Sequence, residues 1–248
     1  MNRNKSSLKI SKEYFHHHAY EILETHSIIK QAILGCFTSE IPIVSRVKNK
    51  KGKLSNAIKA DDFNKELRVL LKNRNNDIRF EVNEENGVFY FSSEKAAIGG
   101  FDFGFINHKK NLLKLRNLCF GELQYFDGLK RWNKFLSKNP ELKSLSDNLL
   151  DGTNIGQDIK YISDKLDIPL IVGEIQFGNW ALAYRDFFKV LKANVQNSID
   201  CLVYVVPTGN LESMLSDGIV TFDKSVKILE EFSKVISVPI WIIGLDLE

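Results

Sequence analysis

The chain has 248 residues, 44% of them hydrophobic, so it can bury a full core without disulfide or metal staples. Its 34 Lys+Arg against 31 Asp+Glu leave a net charge of +3, which argues against disorder and against a basic protein that coats polyanions. Three scattered cysteines (Cys36, Cys119, Cys201) fit reduced thiols in a cytoplasmic protein, and no apolar run approaches the ~18 to 20 residues of a membrane span.

Phe15, Ala19, Ile22, Ile29 and Ile33 recur near helical spacing, predicting a first amphipathic helix over 11–37 that Gly35 and Pro42 bring to an end. His16, His17 and His18 would splay around such a helix and present no joint ligand face. Lys48, Lys50, Lys51, Gly52 and Lys53 carry charge without apolar periodicity and predict an exposed loop, with phosphate contact as its sharper use. A second helix is expected from about Lys59, with Phe63, Leu67 and Leu70 on one side and Asp61 and Asp62 in its first turn. Short aromatic and β-branched runs at 77–82 and 88–92 flank Asn86-Gly87, a strong hairpin signal. Residues 94–150 are less informative: glycine and phenylalanine alternate at 99–105 without a nucleotide-binding pattern, and the stretch before Pro140 reads as helical.

The last hundred residues predict strand (158–162), polar turn, strand (169–177), a helix from Tyr184 to Val195, a buried strand (201–206), helix (226–236) and a closing strand (240–245). Buried strands alternating with helices imply an α/β fold, a mixed central sheet flanked by helices. With no linker or repeat, residues 1–248 read as one domain, with a helical amino-terminal part about 1–75 and a catalytic core about 150–248.

In the strand IVGEIQFGN, alternation places Val172, Glu174 and Gln176 on one face. An acid inside so apolar a strand costs several kcal/mol in desolvation unless it is paired, metal-bound or at a cleft. Glu174 is therefore the charge most in need of a purpose. Hairpin symmetry about Leu166 would set Asp158 opposite Glu174, leaving Asp164 and Asp167 as turn residues. Such an acid pair suits Mg²⁺, which could activate water and neutralise charge on a phosphodiester. Lys160 shares the face of Asp158 and could add a cation there. No nucleophile elbow or Cys-His signature competes with this chemistry.

An acid on one strand and E-x-Q on the next resembles the PD-(D/E)XK nuclease motif, with Gln176 where lysine is usual. Over GEIQFGNWALAYRDFFKV, DCLVYVVPTGNLESMLSDGI and VPIWIIGLDLE the chain is similar to the type II restriction endonucleases of the BglII and BstYI group, which share that glutamine. The resemblance implies Asp158, Glu174 and Gln176 as the active site, with the two acids holding metal. The acids lie further apart in sequence than is usual in that group, and a longer turn would accommodate the difference. It also implies DNA contacts by Asn179 and by the loop Ser216, Asp217, Gly218, residue types suited to major-groove readout. Taken whole, the resemblance implies a homodimeric, Mg²⁺-dependent endonuclease cutting a short palindrome in double-stranded DNA, with a DNA methyltransferase as its genetic partner and no membrane association. The rival expectations are a non-catalytic DNA-binding protein that keeps the nuclease fold, and a repair nuclease that recognises DNA structure.

Overall fold

The computed structural model describes residues 4–50, 53–74, 78–85, 88–91, 100–150, 154–162, 167–195 and 199–248. In chain order these form β1 (Asn4–His16), α1 (Ala19–Thr25), α2 (Ser27–Phe37), β2 (Glu40–Ile43), β3 (Ser45–Lys50), β4 (Lys53–Ile58), α3 (Ala60–Arg74), β5 (Arg79–Glu85), β6 (Val88–Phe91) and β7 (Phe101–Phe105). There follow α4 (His108–Phe120), α5 (Gly128–Lys138), α6 (Lys143–Asp147), β8 (Ile171–Ile175), α7 (Ala181–Asn194), β9 (Cys201–Pro207), α8 (Gly209–Met214), α9 (Phe222–Glu231) and β10 (Ile240–Leu247).

Eight strands make one mixed sheet in the order β2-β1-β10-β9-β8-β7-β5-β6, and β3 and β4 form a separate ribbon. The centre, β10-β9-β8, is parallel, and β1 and β7 pair antiparallel to its two sides. Period-two alternation sorts the central side chains onto two helix-covered faces. Val203, Val205, Trp241 and Ile243 pack with Leu23, Ile33, Phe37 and Phe63 beneath α1, α2 and α3. Leu202, Tyr204, Val206 and Ile242 pack with Phe187, Val190, Ile228 and Leu229 of α7 and α9. The α/β fold expected from the sequence, a mixed sheet flanked by helices, is the fold observed.

Three elements differ from expectation. Residues 11–16 belong to β1, because β10 offers them a strand partner: Tyr14 pairs with Ile242 and Phe15 with Trp241, whose rings stack at 5.8 Å. Helix begins only at Ala19, and the amino-terminal part also contributes β2, β3 and β4. His16 is buried, its Nε2 2.8 Å from the Ile236 carbonyl oxygen. The lysine-rich stretch is a β3-β4 ribbon, in which Lys48 pairs with Ser55; Lys51 and Gly52 lie outside the described residues.

The third difference concerns 158–162, which is no strand. Side chains of α4 hold Ile159 and the residues before it: Asn117 Oδ1 accepts from Ile159 N–H (3.0 Å) and Asn117 Nδ2 donates to Ile159 O (2.9 Å). Arg116 donates to the carbonyls of Gln157 and Asn154. A segment so satisfied has no need of a sheet partner. Helices α4, α5 and α6 are thus an excursion between β7 and β8, with their own core of Leu112, Leu115, Trp132 and Phe135. Among the described residues, no helix is long and apolar enough to cross a membrane.

Candidate active site

Strand β8 enters the sheet between β7 and β9, and Ile171 and Ile175 point to one helical layer while Val172 packs in the other. Glu174 shares the face of Val172, as alternation requires, and Gln176 follows at the strand end. Both are buried, each 6% exposed. Gly173 lets β7 come close, since a Cβ there would lie 2.0 Å from the Phe103 ring.

The strand beside Glu174 is β7, in the register Phe105–Ile171, Gly104–Val172, Phe103–Gly173. One step further stand Asp102 and Glu174. The ladder gives way there to a side-chain bond, in which Ile175 N–H donates to Asp102 Oδ2 (2.9 Å). Asp102 Oδ1 accepts from Arg68 Nη2 of α3 (2.6 Å), and the other guanidinium nitrogen of Arg68 pairs with Glu81 on β5. Glu81 has φ +55, a left-handed conformation that costs a non-glycine residue roughly 1 to 2 kcal/mol.

Helix α7 adds three charges. Lys189 Nζ lies 2.9 Å from Glu174 Oε2 and 3.3 Å from Asp186 Oδ1, and it donates to Gly100 O (2.9 Å). With Glu174 Oε2 it forms a buried ion pair, although among the described residues Oε2 has no donor that meets strict hydrogen-bond geometry. Arg185, half exposed, stands 3.9 Å from Glu174 Oε1 and 3.1 Å from Asp186 Oδ1. Asp186 Oδ2 accepts from Gln176 Nε2 (2.8 Å) and from the Tyr204 hydroxyl (3.2 Å). Gln176 Oε1 accepts from Gly178 N–H (2.9 Å), so both ends of that amide are engaged.

Burial pushes the Glu174 carboxyl well above its usual range, the neighbouring Asp102 charge pushes the same way, and Lys189 pulls it back. Asp102 is also raised, by burial first, against the Ile175 N–H and Arg68. Perturbed acid pairs of this kind cluster at functional sites, and structural ion-pair networks also produce them.

Asp158, expected opposite Glu174, is exposed in the irregular segment under α4, where its Oδ1 accepts from Glu122 N–H (3.1 Å). It lines a cleft of about 440 Å³ with Asn107, Asn117 and Tyr161, beside the helical excursion. Lys160 is exposed in the same segment. The hairpin that would have set Asp158 against Glu174 is absent among the described residues, because β8 already has β7 and β9 as neighbours. Asp164 and Leu166 lie outside the described residues, and Asp167 accepts from Asn107 Nδ2 (3.4 Å).

The two loops expected to meet DNA are brought together. Asn179 bridges Ile219 in antiparallel fashion, Trp180 N–H donates to Gly218 O (3.0 Å), and Val220 N–H donates to Gly178 O (2.9 Å). Asn179, Ser216, Asp217 and Gly218 are all exposed. Asn179 Oδ1 accepts from Ala181 N–H (2.9 Å), which starts α7.

Asp102, Arg68, Glu81, Asp186 and Lys189 are not singled out by sequence reasoning. Asp102 carries the signal that marks Glu174, an acid within an apolar strand, FDFGF. Asp186 and Lys189 sit among the buried Phe187 and Val190 of α7, charges inside an apolar stripe.

A helix-covered mixed sheet with two acids facing each other across adjacent antiparallel strands defines the class, an α/β protein with a paired-acid site. Within that class the sequence matches, over residues 11–245, the family described as restriction endonuclease BglII/BglIII, and the chain belongs to that family of type II, site-specific endonucleases. A crystal structure of restriction endonuclease BglII complexed with a DNA 16-mer aligns at a TM-score of 0.47 and 12% identity, covering 95% of this chain and 75% of that one. The comparison with curated proteins returned no match.

Proposed function

We propose that the chain is a homodimeric, Mg²⁺-dependent restriction endonuclease that cuts both strands of a short palindromic DNA site in the cytoplasm, with a DNA methyltransferase protecting host sites. The observation that carries this is the Asp102–Glu174 pair, a partly buried and a buried acid one register step beyond Phe103–Gly173, with Lys189 paired to Glu174 Oε2. Two carboxylates suit a cation that takes one or two such ligands and keeps several waters. Glu174 and Asp102, whose oxygens also accept from Ile175 N–H and Arg68, would hold it; Asp186, 1% exposed, is enclosed by Gln176, Tyr204 and the cations of α7. Bound there, Mg²⁺ would supply an activated water and neutralise charge on the phosphate.

In the hydrolysis a bond forms between the water oxygen and phosphorus while one ester P–O bond breaks, and the water loses a proton as the leaving sugar oxygen gains one. The chain's part is to hold charge in place. Arg68 fixes Asp102, α7 fixes the far side of Glu174, and Asn179, Ser216 and Asp217 are offered to base edges by the joined loops. In the test, plasmid DNA is incubated with Mg²⁺ and wild-type protein or variants. Wild type should give discrete bands, Glu174→Ala and Asp102→Asn should each lose at least ~100-fold in rate, and Asp158→Asn should cut within tenfold of wild type. Gel shifts in Ca²⁺ should show all three variants binding cognate DNA. Cleavage by Glu174→Ala within tenfold of wild type refutes the assignment.

A further inference from the structure

The E-x-Q strand places an amide where these nucleases usually carry a cation, yet the hydrogen bonds that Gln176 makes go to groups other than Glu174. Its Nε2 donates to Asp186 and its Oε1 accepts from Gly178 N–H. The cation at Glu174 comes from the next helix. Lys189 is 8% exposed, and its ammonium is held by Glu174 Oε2, Asp186 Oδ1 and the Gly100 carbonyl, 5.0 Å from the centre of the Phe101 ring. A lysine stem is ordinarily free to turn. Three fixed anchors in a buried site remove that freedom.

We propose that Lys189 is the residue that supplies the fixed positive charge beside Glu174 in the cleavage reaction, and that Gln176 is a positioning residue acting through Asp186. The inference rests on the Asp102–Glu174 active site proposed above. A preorganised charge in a low-dielectric site stabilises negative charge that builds on the phosphate without having to reorganise at that moment. The role is electrostatic, and no proton transfer is assigned to Lys189. Arg185 does not replace it, because that side chain is half exposed and stands 3.9 Å from Glu174. The plain alternative is that Lys189 only neutralises Glu174 until a divalent cation takes over. Its removal would then leave cleavage intact and tighten metal binding.

The full-length protein decides between them. Lys189→Met, Lys189→Arg, Gln176→Ala and the Lys189→Met/Gln176→Ala double variant are compared by single-turnover cleavage in Mg²⁺, Ca²⁺ affinity by calorimetry, cognate DNA binding in Ca²⁺ and melting temperature. Lys189→Met should lose roughly 100-fold in cleavage while binding Ca²⁺ as well as or better than wild type and keeping its DNA affinity. Lys189→Arg should cut within tenfold of wild type. The double variant should be no worse than Lys189→Met, because a brace for Lys189 has nothing to hold once Lys189 is gone. Cleavage by Lys189→Met within tenfold of wild type, a Lys189→Arg loss above tenfold, or additive losses in the double variant overturn the proposal. Should Lys189→Met fail to fold, Lys189→Arg decides at the same tenfold threshold. Glu174→Ala is assayed alongside: if it too cuts normally, the active site itself has been misplaced, whereas its failure beside a normal Lys189→Met refutes the lysine alone.

Discussion

Glu174 sets burial against charge. Its carboxyl is nearly out of water, with Asp102 across the strand pair and Asp186 across the helix, and Lys189 offsets only part of that penalty. Both states hold the proton below about the usual 4.5. As pH rises above that value the unfolded chain releases it first, so the folded state binds more protons and stability falls with pH, by at most about 1.4 kcal/mol per pH unit for one group. The slope ends once the pH passes the raised folded value. Melting temperature measured without divalent ions should therefore decline from mildly acidic to neutral pH, and Glu174→Gln should flatten that decline. Asp102, shifted the same way, contributes to the residual slope, and His16 and His108, both pushed down by burial, act against it. Added Mg²⁺, which favours the ionised acids, should raise the wild-type melting temperature more at higher pH. Equal pH slopes for wild type and Glu174→Gln would show that Glu174 ionises normally in the fold.

At the scale of elements, β8 and α7 and the turn between them would carry both chemistry and recognition in the proposed function. The turn after Gln176 runs antiparallel to the loop after α8 through Asn179 and Ile219, so a base reader on either loop is positioned by the other. Asn179→Ala and Asp217→Ala should each weaken cognate DNA binding, by about 1 to 3 kcal/mol for a lost base contact, and leave random DNA almost unaffected. Asn179 also accepts the Ala181 N–H, so its alanine variant should lose about 1 kcal/mol of stability that Asp217→Ala does not. Equal losses on cognate and random DNA for both variants would reassign these loops to backbone positioning. The period-two runs of β8, β9 and β10 and the apolar stripes of α3 and α7 are legible in the sequence because each contains one dominant period. The shared face of Glu174 and Gln176 is legible for the same reason. Asp102 is not, because the partner of a strand need not be its neighbour in sequence. Asp102 and Ile175, joined by a hydrogen bond, are 73 residues apart, and the intervening excursion holds its own core. Hairpin symmetry assumes a local turn, and it points to Asp158 only while the hold of α4 on that segment goes unseen. The strand at 11–16 is hidden for a related reason, since its partner β10 lies at the other end of the chain.

For the molecule as a whole, one chain carries a single Asp102–Glu174 pair, whereas a palindromic site presents the same ester bond twice, once on each strand. Two-fold symmetric DNA is matched by a two-fold dimer in which each copy cuts one strand. The protein should therefore sediment at twice its chain mass of 28.4 kDa and convert supercoiled plasmid to the linear form with little nicked intermediate. A mixed dimer sharpens the test. When wild-type protein is co-expressed with tagged Glu174→Ala and the heterodimer isolated, one working site remains, and supercoiled plasmid should stop at the nicked circle. The wild-type homodimer purified in parallel should still give linear product, and the variant homodimer should bind DNA without cutting it. If the heterodimer makes double-strand breaks at the wild-type rate, or if a wild-type monomer cuts both strands at one chain per site, a single active site serves both strands and the symmetric arrangement is wrong.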